Sequence, residues 1–426
     1  VAYLPQIKVT VNFTDGPVFG YPFTLDSTEH GILGTNVLAD NAADVIDVSD
    51  QVIKISTKGG FNLIQDNFEL STASVRVLDP DGTWNPQNTL SPLFGKLLPL
   101  RKVQISAVYE GIEYYIFSGY TQAYNYSYPK ADQVIGYVDL ECTDAFRLFN
   151  LANIAAVTGA ADGQDTGTRI DKILDTIDWP NSMRLITTGG YETICQDDPG
   201  TNRTALQALQ MVEFTEQGAF YLTTQGSAIF RSRRELMALS GQNPTIFNND
   251  GSAIGYNGIT FALDDKLIIN EASIQNIGGV VQSVFDADSI ATYFPHTLTQ
   301  QNVLAQTDTD ALNIARNYVA TRAFTSIRID SIRLDLSTPD YNDGIIAGLS
   351  LDYFHTVQIT NEAQSTGAGY STITKTLQVM GVDHEITPNT WNVVITTSEP
   401  IVGSFILDST IYGVIGDPNR LSVLAY

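Results

Sequence analysis

The chain has 426 residues, 43% of them hydrophobic, and carries a formal net charge of −24 from 47 acidic and 23 basic residues. The length exceeds one ordinary core and implies roughly two to four domains, and no apolar run approaches the roughly 20 residues of a membrane-spanning helix, so no membrane insertion is expected. With no basic cluster beyond Arg231-Arg233-Arg234, tight DNA binding, which needs cations to displace phosphate counterions, is excluded.

The amino terminus, VAYLPQIKVTVNF, lacks the basic and apolar regions of a secretory signal, and its first residue, Val1, implies trimming or processing. Residues 1–150 read as mostly β. Alternation is visible at Ile7–Phe13 and Gln51–Ser56, then at Ala73–Leu78, Lys102–Ile105, Tyr114–Phe117 and Gly136–Cys142. Gly59-Gly60 and Asp81-Gly82 punctuate these runs as turns. Helical spacing begins at Asp144–Asn153, with Asp144 as the expected N-cap.

The middle, 151–264, reads as α+β. Ile170, Ile173, Leu174 and Ile177 fall on one helical face near 166–179, and Pro180 stops that helix. A second helix is predicted near 204–216, ended by Gly218 and followed by a hairpin over 219–233. The segment 265–398 returns to β, with one helix near 309–324 and strands at Ile327–Leu336, His355–Thr360, Thr372–Gly381 and Trp391–Thr397. The stretch 399–426 reads as a C-terminal arm with sparse apolar anchors.

One short segment recurs. Val103-Gln104-Ile105-Ser106 returns as Val357-Gln358-Ile359-Thr360. Each is followed by a glycine-bearing strand (Gly119-Tyr120, then Gly381-Val382) and by a final alternating strand (from Tyr137, then from Trp391). The pattern predicts two similar β-barrels near the two ends of the chain.

The residues supply little chemistry. Nucleophile-elbow, P-loop, H-E-x-x-H and G-x-G-x-x-G patterns are absent. His30, His296, His355 and His384 are far apart in sequence, and His384 beside Glu385 in an alternating strand points to the opposite face. Asp79-Pro80-Asp81-Gly82 resembles the start of a calcium loop, but residue 90 is Leu where that loop needs Glu, and a β-turn accounts for the run. Cys142 and Cys195 have neither metal nor redox spacing and predict two buried free thiols, as expected for synthesis in a reducing cytoplasm. Neither a catalytic residue, nor a cofactor, nor a metal is expected. Aromatic residues are the stronger lead: Tyr109, Tyr114, Tyr120, Tyr124, Tyr126 and Tyr128 cluster in one β-rich stretch. Half should face a core, and the rest are candidate interface anchors, because tyrosine offers large contact area at low entropic cost.

Ala73-Ser74-Val75, Asp81-Gly82, Trp84-Asn85-Pro86, Ser91-Pro92, Gly95-Lys96-Leu97, Pro99, Arg101, Val103, Phe117 and Gly119-Tyr120 together resemble the N-terminal hub domain of siphophage minor tail proteins, the tail-tip or baseplate hub family related to the contractile-tail hub. The likeness continues through Leu206, Leu209, Glu216, Gly218, Phe220-Tyr221, Gly226, Phe230 and Arg233, then Ile269-Asn270 and Gly278-Gly279, to Gly381–Pro388 and Trp391. One departure lies at Leu349–Val357, where the family often has a glycine turn before the strand. The resemblance implies a mainly β homotrimer in which two hub β-barrel domains per chain (1–150 and 265–398) form a pseudo-hexameric ring, with smaller α+β insert domains. It implies a structural virion protein made in the bacterial host cytoplasm and placed at the tail tip. Its implied partners are the distal tail protein ring, the tape measure protein and a tail fibre or spike protein, with DNA passing through without specific binding. An acidic lumen wall would suit that passage, and an acidic surface for solubility fits the composition as well. Two other classes remain open on sequence: a host-polysaccharide-binding tail adhesin using the tyrosines, and a tail-associated hydrolase, for which no motif or spare length is present.

Overall fold

A computed structural model describes residues 4–13, 44–127, 136–187, 193–362 and 372–400. His30, Tyr128 and the arm beyond residue 400 lie outside the described residues.

Thirteen strands form one large sheet. They are β1 (Gln6–Asn12), β2 (Val45–Asp47), β3 (Val52–Lys58), β4 (Thr72–Asp79), β5 (Lys102–Tyr109), β6 (Ile112–Ser127), β7 (Gly136–Thr143), β8 (Thr245–Asn248), β9 (Gly258–Ala262), β10 (Arg328–Asp335), β11 (Thr356–Asn361), β12 (Ile373–Thr387) and β13 (Thr390–Ser398). Their spatial order is β9-β10-β13-β12-β3-β4-β7-β6-β5-β1-β2, with β11 on the other side of β12 and β8 beside β11. Alternation drives most of this. In β4 the apolar residues Ala73, Val75 and Val77 are buried and the intervening ones are not, as period two requires.

Within that sheet five consecutive strands repeat. β3 to β7 and β9 to β13 both run antiparallel in the spatial order first-second-fifth-fourth-third. Their registers agree. Lys102 pairs with Tyr120 as Thr356 pairs with Gln378, and Val103 pairs with Gly119 as Val357 pairs with Leu377. Seven successive pairs then match between β6·β7 and β12·β13, with a bulge at the same place, between Thr121 and Ala123 and between Val379 and Gly381. A backbone feature repeats too. Leu100 and Phe354 both take φ 63°. Each donates its N–H to the strand opposite, to Thr121 O and Val379 O, both at 2.7 Å. The glycine turn missing at Leu349–Val357 is thus replaced by a bulky residue held in the same left-handed conformation, which costs about 1–3 kcal/mol and needs the surrounding packing to hold it.

This register refines the sequence echo. Val103-Gln104-Ile105 and Val357-Gln358-Ile359 are equivalent, but Gly119 corresponds to Leu377, and Gly381 to Ala123. A second echo emerges: Ser74-Val75-Arg76-Val77 on β4 corresponds to Ser331-Ile332-Arg333-Leu334 on β10.

The expectation of two closed barrels is corrected. Among the described residues no ladder closes on itself. The row β3-β4-β7-β6-β5-β1-β2 has its two end strands joined by only Val48–Gln51, a single 3-10 turn, so the chain rather than a hydrogen-bonded strand pair completes the circuit. The two repeats are also continuous. β12 is 15 residues long, and its far half pairs with β3: His384 with Thr57, Glu385 with Ser56, Ile386 with Ile55. Alternation tells which face a strand buries; it carries no information about which edges meet.

At that junction Gly59-Gly60 lies backbone to backbone against Met380-Gly381. Gly60 has φ 153°, and a Cβ there would meet Met380 O at 2.6 Å; one on Gly381 would meet Gly59 O at 2.9 Å. Gly60→Ala should therefore destabilise the chain by about 2–3 kcal/mol, from strain and overpacking together. Urea denaturation reads this directly, and an unchanged midpoint would contradict the close approach.

The remaining elements form layers against the sheet. Helices α1 (Phe146–Leu151), α2 (Thr166–Thr176), α3 (Ala205–Glu216) and α4 (Arg233–Ser240) pack with a small sheet built on the hairpin Ala219–Leu222 and Ala228–Arg231. Ala145 rather than the expected Asp144 is the N-cap of α1; Asp144 stands one residue earlier and accepts from Phe146 N at 3.0 Å. Asp165 caps α2, and Thr204 with Gln207 makes a capping box on α3. α4 was not expected, although Ser232 and Glu235 form a capping box there as well. Residues 263–327 fall between β9 and β10. They hold three short strands, α5 (Ala287–Tyr293) and α6 (Asp308–Arg322), around a core of their own with Ala272, Ile274, Ile314 and Tyr318. α7 (Asn342–Ser350) lies between β10 and β11. The strand order thus groups β8 and β9, at 245–262, with the second repeat, ahead of the division at residue 265.

A short hairpin, Phe61–Asn62 with Asn67–Phe68, occupies the same topological position in the first repeat, between β3 and β4. Phe68 packs on Tyr221 of the middle layer at 4.9 Å and on Phe354 of the second repeat at 5.8 Å, ring centre to ring centre. This aromatic cluster ties both repeats to the helical layer.

Candidate subunit interface

The tyrosines lie on β5 and β6, and the bulge at Thr121/Ala123 decides their fates. Tyr109 is 8% exposed and its hydroxyl donates to Asn342 Oδ1 at the start of α7, 2.8 Å away. Tyr120 is 3% exposed and sits in the core shared with the middle layer. Tyr114, Tyr124 and Tyr126 are half-buried and pack on the core of the large sheet instead. Tyr124 donates to Leu98 O at 3.0 Å, and burial pushes its hydroxyl up to about 12. Tyr109 and Tyr120 therefore serve the chain's own packing and have almost no surface to offer a partner.

The motif residues after β4 are structural. Trp84 is 1% exposed and packs on Phe13, with its indole N–H donating to Gln51 Oε1 at 3.3 Å. Asp79 accepts from Trp84 N at 3.2 Å, and Ser91 Oγ donates to Thr83 O. The loop is a plug over one end of the first repeat's core.

The three histidines among the described residues are each engaged separately. His296 Nε2 lies 3.2 Å from Tyr293 O and His355 Nε2 lies 3.3 Å from Thr245 Oγ1. His384 is buried, its Nδ1 accepts from the Trp391 indole N–H at 3.2 Å, and adjacent Glu385 is exposed on the other face. Burial holds the His384 imidazole down at about 4, so it is neutral at pH 7. Cys142 and Cys195 are buried free thiols, and burial pushes the Cys195 thiol up to about 12. In the basic cluster Arg233 donates to Gln217 Oε1 at 2.9 Å, and Arg231 lies 4.0 Å from Glu235.

A cavity of about 40 Å³ lies where the two repeats and the middle layer meet, lined by Lys58, Ser71, Asp144 and Tyr353 among others. It has room for a water molecule or two rather than a substrate. Asp144 faces it, accepts from Ser71 N at 2.8 Å, and is raised by burial to about 7. Among the described residues no group of His, Cys, Asp and Glu is arranged to hold a metal ion, and no helix is long and apolar enough to cross a membrane.

What stands out instead is the edges of the sheet. β2 has three residues, ends on Asp47 and runs straight into a 3-10 turn. β9, the other end of the path, reads Gly-Ile-Thr-Phe-Ala, without a charge or a proline. Edges are ordinarily blunted by shortness, charge, proline or a bulge; β2 is short and charged, whereas β9 has only the register shift between Thr260 and Phe261.

Two solved tail proteins share this fold. The chain is similar to the tail protein from Neisseria meningitidis MC58, with a TM-score of 0.54 at 10% sequence identity, over 94% of this chain and 98% of that one. It is also similar to the 43 kDa tail protein of prophage MuSo2 from Shewanella oneidensis, with a TM-score of 0.52 at 10% identity, over 84% of this chain and 96% of that one. At such identity the fold is what is shared. No family model matches the sequence, and no curated protein matches it.

Proposed function

We propose that this chain is a structural protein of a phage tail, acting as the hub at the tail tip. Three copies form a ring in which each contributes two equivalent seats, so that a sixfold tail tube and distal tail ring can be joined to a threefold fibre or spike. The middle layer frames or closes the lumen, and opening lets the tape measure protein and DNA leave. DNA passes without specific binding, in keeping with the acidic composition.

The observation that carries this reading is the repeat of five strands in one order and register within a single chain. A protein that meets a sixfold partner with three chains needs two similar surfaces per chain, and this fold supplies them. Native mass spectrometry of the purified chain tests it. A species of three chains is the expected result, and a monomer that binds glycans would favour the adhesin and contradict the hub.

A further inference from the structure

We infer that the chain's own β12·β3 junction is reproduced between copies, with the far end of β6 of one copy pairing antiparallel with β9 of the next. This rests on the ring reading above and names the strands and register that would close the ring.

By the pairs that match between repeats, β6 corresponds to β12 and β3 to β9. Ser127 is equivalent to Glu385, because it pairs with Tyr137 as Glu385 pairs with Asn392. Thr260 is equivalent to Ser56, because it pairs with Ser331 as Ser56 pairs with Ser74, and Ser74 and Ser331 are themselves equivalent. Within the chain Glu385 pairs with Ser56. The copied junction therefore sets Ser127 opposite Thr260 of a second copy, with Tyr126 opposite its Phe261.

Burial supports this choice of occupant. At the internal junction Ile55 is fully buried. Its equivalent Ile259 is only partly buried, as is Phe261, although both touch the sheet's core. Among the described residues β9 also has a strand on one side only, β10, and it carries neither charge nor proline, although its ladder with β10 shifts register between Thr260 and Phe261. A second copy presenting β6 would cover it in the way β12 covers β3. Because the contact is head to tail, it is heterologous, and repetition closes a ring or runs on as a filament.

Cross-linking tests the pairing. A chain carrying both Ser127→Cys and Thr260→Cys should, on mild oxidation or with a short bis-maleimide, yield covalent species of two and three chains on a non-reducing gel. Cross-strand partners sit about 4.5–5.5 Å apart between Cβ atoms, within reach of either linkage. The two singly substituted chains, mixed, should give one covalent dimer and nothing larger, and each alone should give none; the native thiols are buried and serve as a silent background. A three-chain mass without these cross-links would overturn the pairing and leave the ring standing. A chain that stays monomeric would sink both. A linkage formed inside one chain would show that something other than a second copy covers β9 and would overturn the inference.

Discussion

Asp66→Asn is expected to lower the stability of the folded chain by about 3–5 kcal/mol, the range for removing one partner of a buried ion pair. Asp66 lies at the tip of the hairpin between β3 and β4, and its carboxylate accepts from Arg322 Nη2 at the end of α6. The two side chains are 16% and 15% exposed. Arg322 also lies over the Tyr318 ring, 5.5 Å from its centre. Asparagine keeps the volume of aspartate and tolerates the left-handed backbone at this position, where φ is 56°. The substitution therefore isolates the charge, leaving a guanidinium buried against an amide. The pair joins the two insertions that occupy the same place in the two repeats, so its loss should loosen 263–327 from the first repeat. A double replacement, Asp66→Leu with Arg322→Met, should cost less than Asp66→Asn alone, since no unpaired charge remains. Urea denaturation of the wild type and the two variants decides it; a double variant that loses as much as Asp66→Asn or more would contradict the pairing.

Acid should weaken the junction between the repeats through His384. Its imidazole is held at about 4 in the fold by burial, against an ordinary value of 6.5. The folded state therefore binds the proton less readily than the unfolded chain. The stability that follows is fully present above pH 6.5 and is lost as pH falls through about 4. The whole shift corresponds to about 3 kcal/mol. Protonation at Nδ1 would also oppose the Trp391 indole N–H, which donates there, and His384 N donates to Thr57 Oγ1 across the junction at 3.1 Å. Other carboxylates titrate over the same range, so the comparison with His384→Gln is the useful one. Between pH 7 and pH 4.5 the wild-type chain should lose about 2–3 kcal/mol more than the variant. Equal losses would show that His384 is not the group responsible.

Much of the fold was legible because strong local signals agreed with the tertiary answer. The apolar face of α2, the span of α3 and the alternation in β4 all reappear as buried faces and helix bounds. The strand echo held its register at Val103 and Val357 because both stand opposite the long, bent strand of their repeat. What eluded sequence reading has physical reasons. Bulges reset the alternation, so Tyr120 and Tyr124, four residues apart, serve different cores. α7 hides behind Gly344 and Gly348, which pack where a side chain would collide with Tyr341 and Leu336. The left-handed positions at Leu100 and Phe354 carry no glycine to announce them. The contact between β12 and β3 spans more than three hundred residues and is written in neither strand alone. The cap of α4, Ser232 with Glu235, was readable and lay beside arginines that drew attention as a basic cluster.

The central claim is that one chain supplies two equivalent seats and three chains supply six. Electron cryo-microscopy of the purified particle, with this chain located in the map, tests it most directly. The account predicts three copies around the tail axis, their β3–β7 and β9–β13 regions alternating at six like positions against the sixfold tube. A map with any other copy number on that axis, or with this chain out on a fibre away from the lumen, would contradict it.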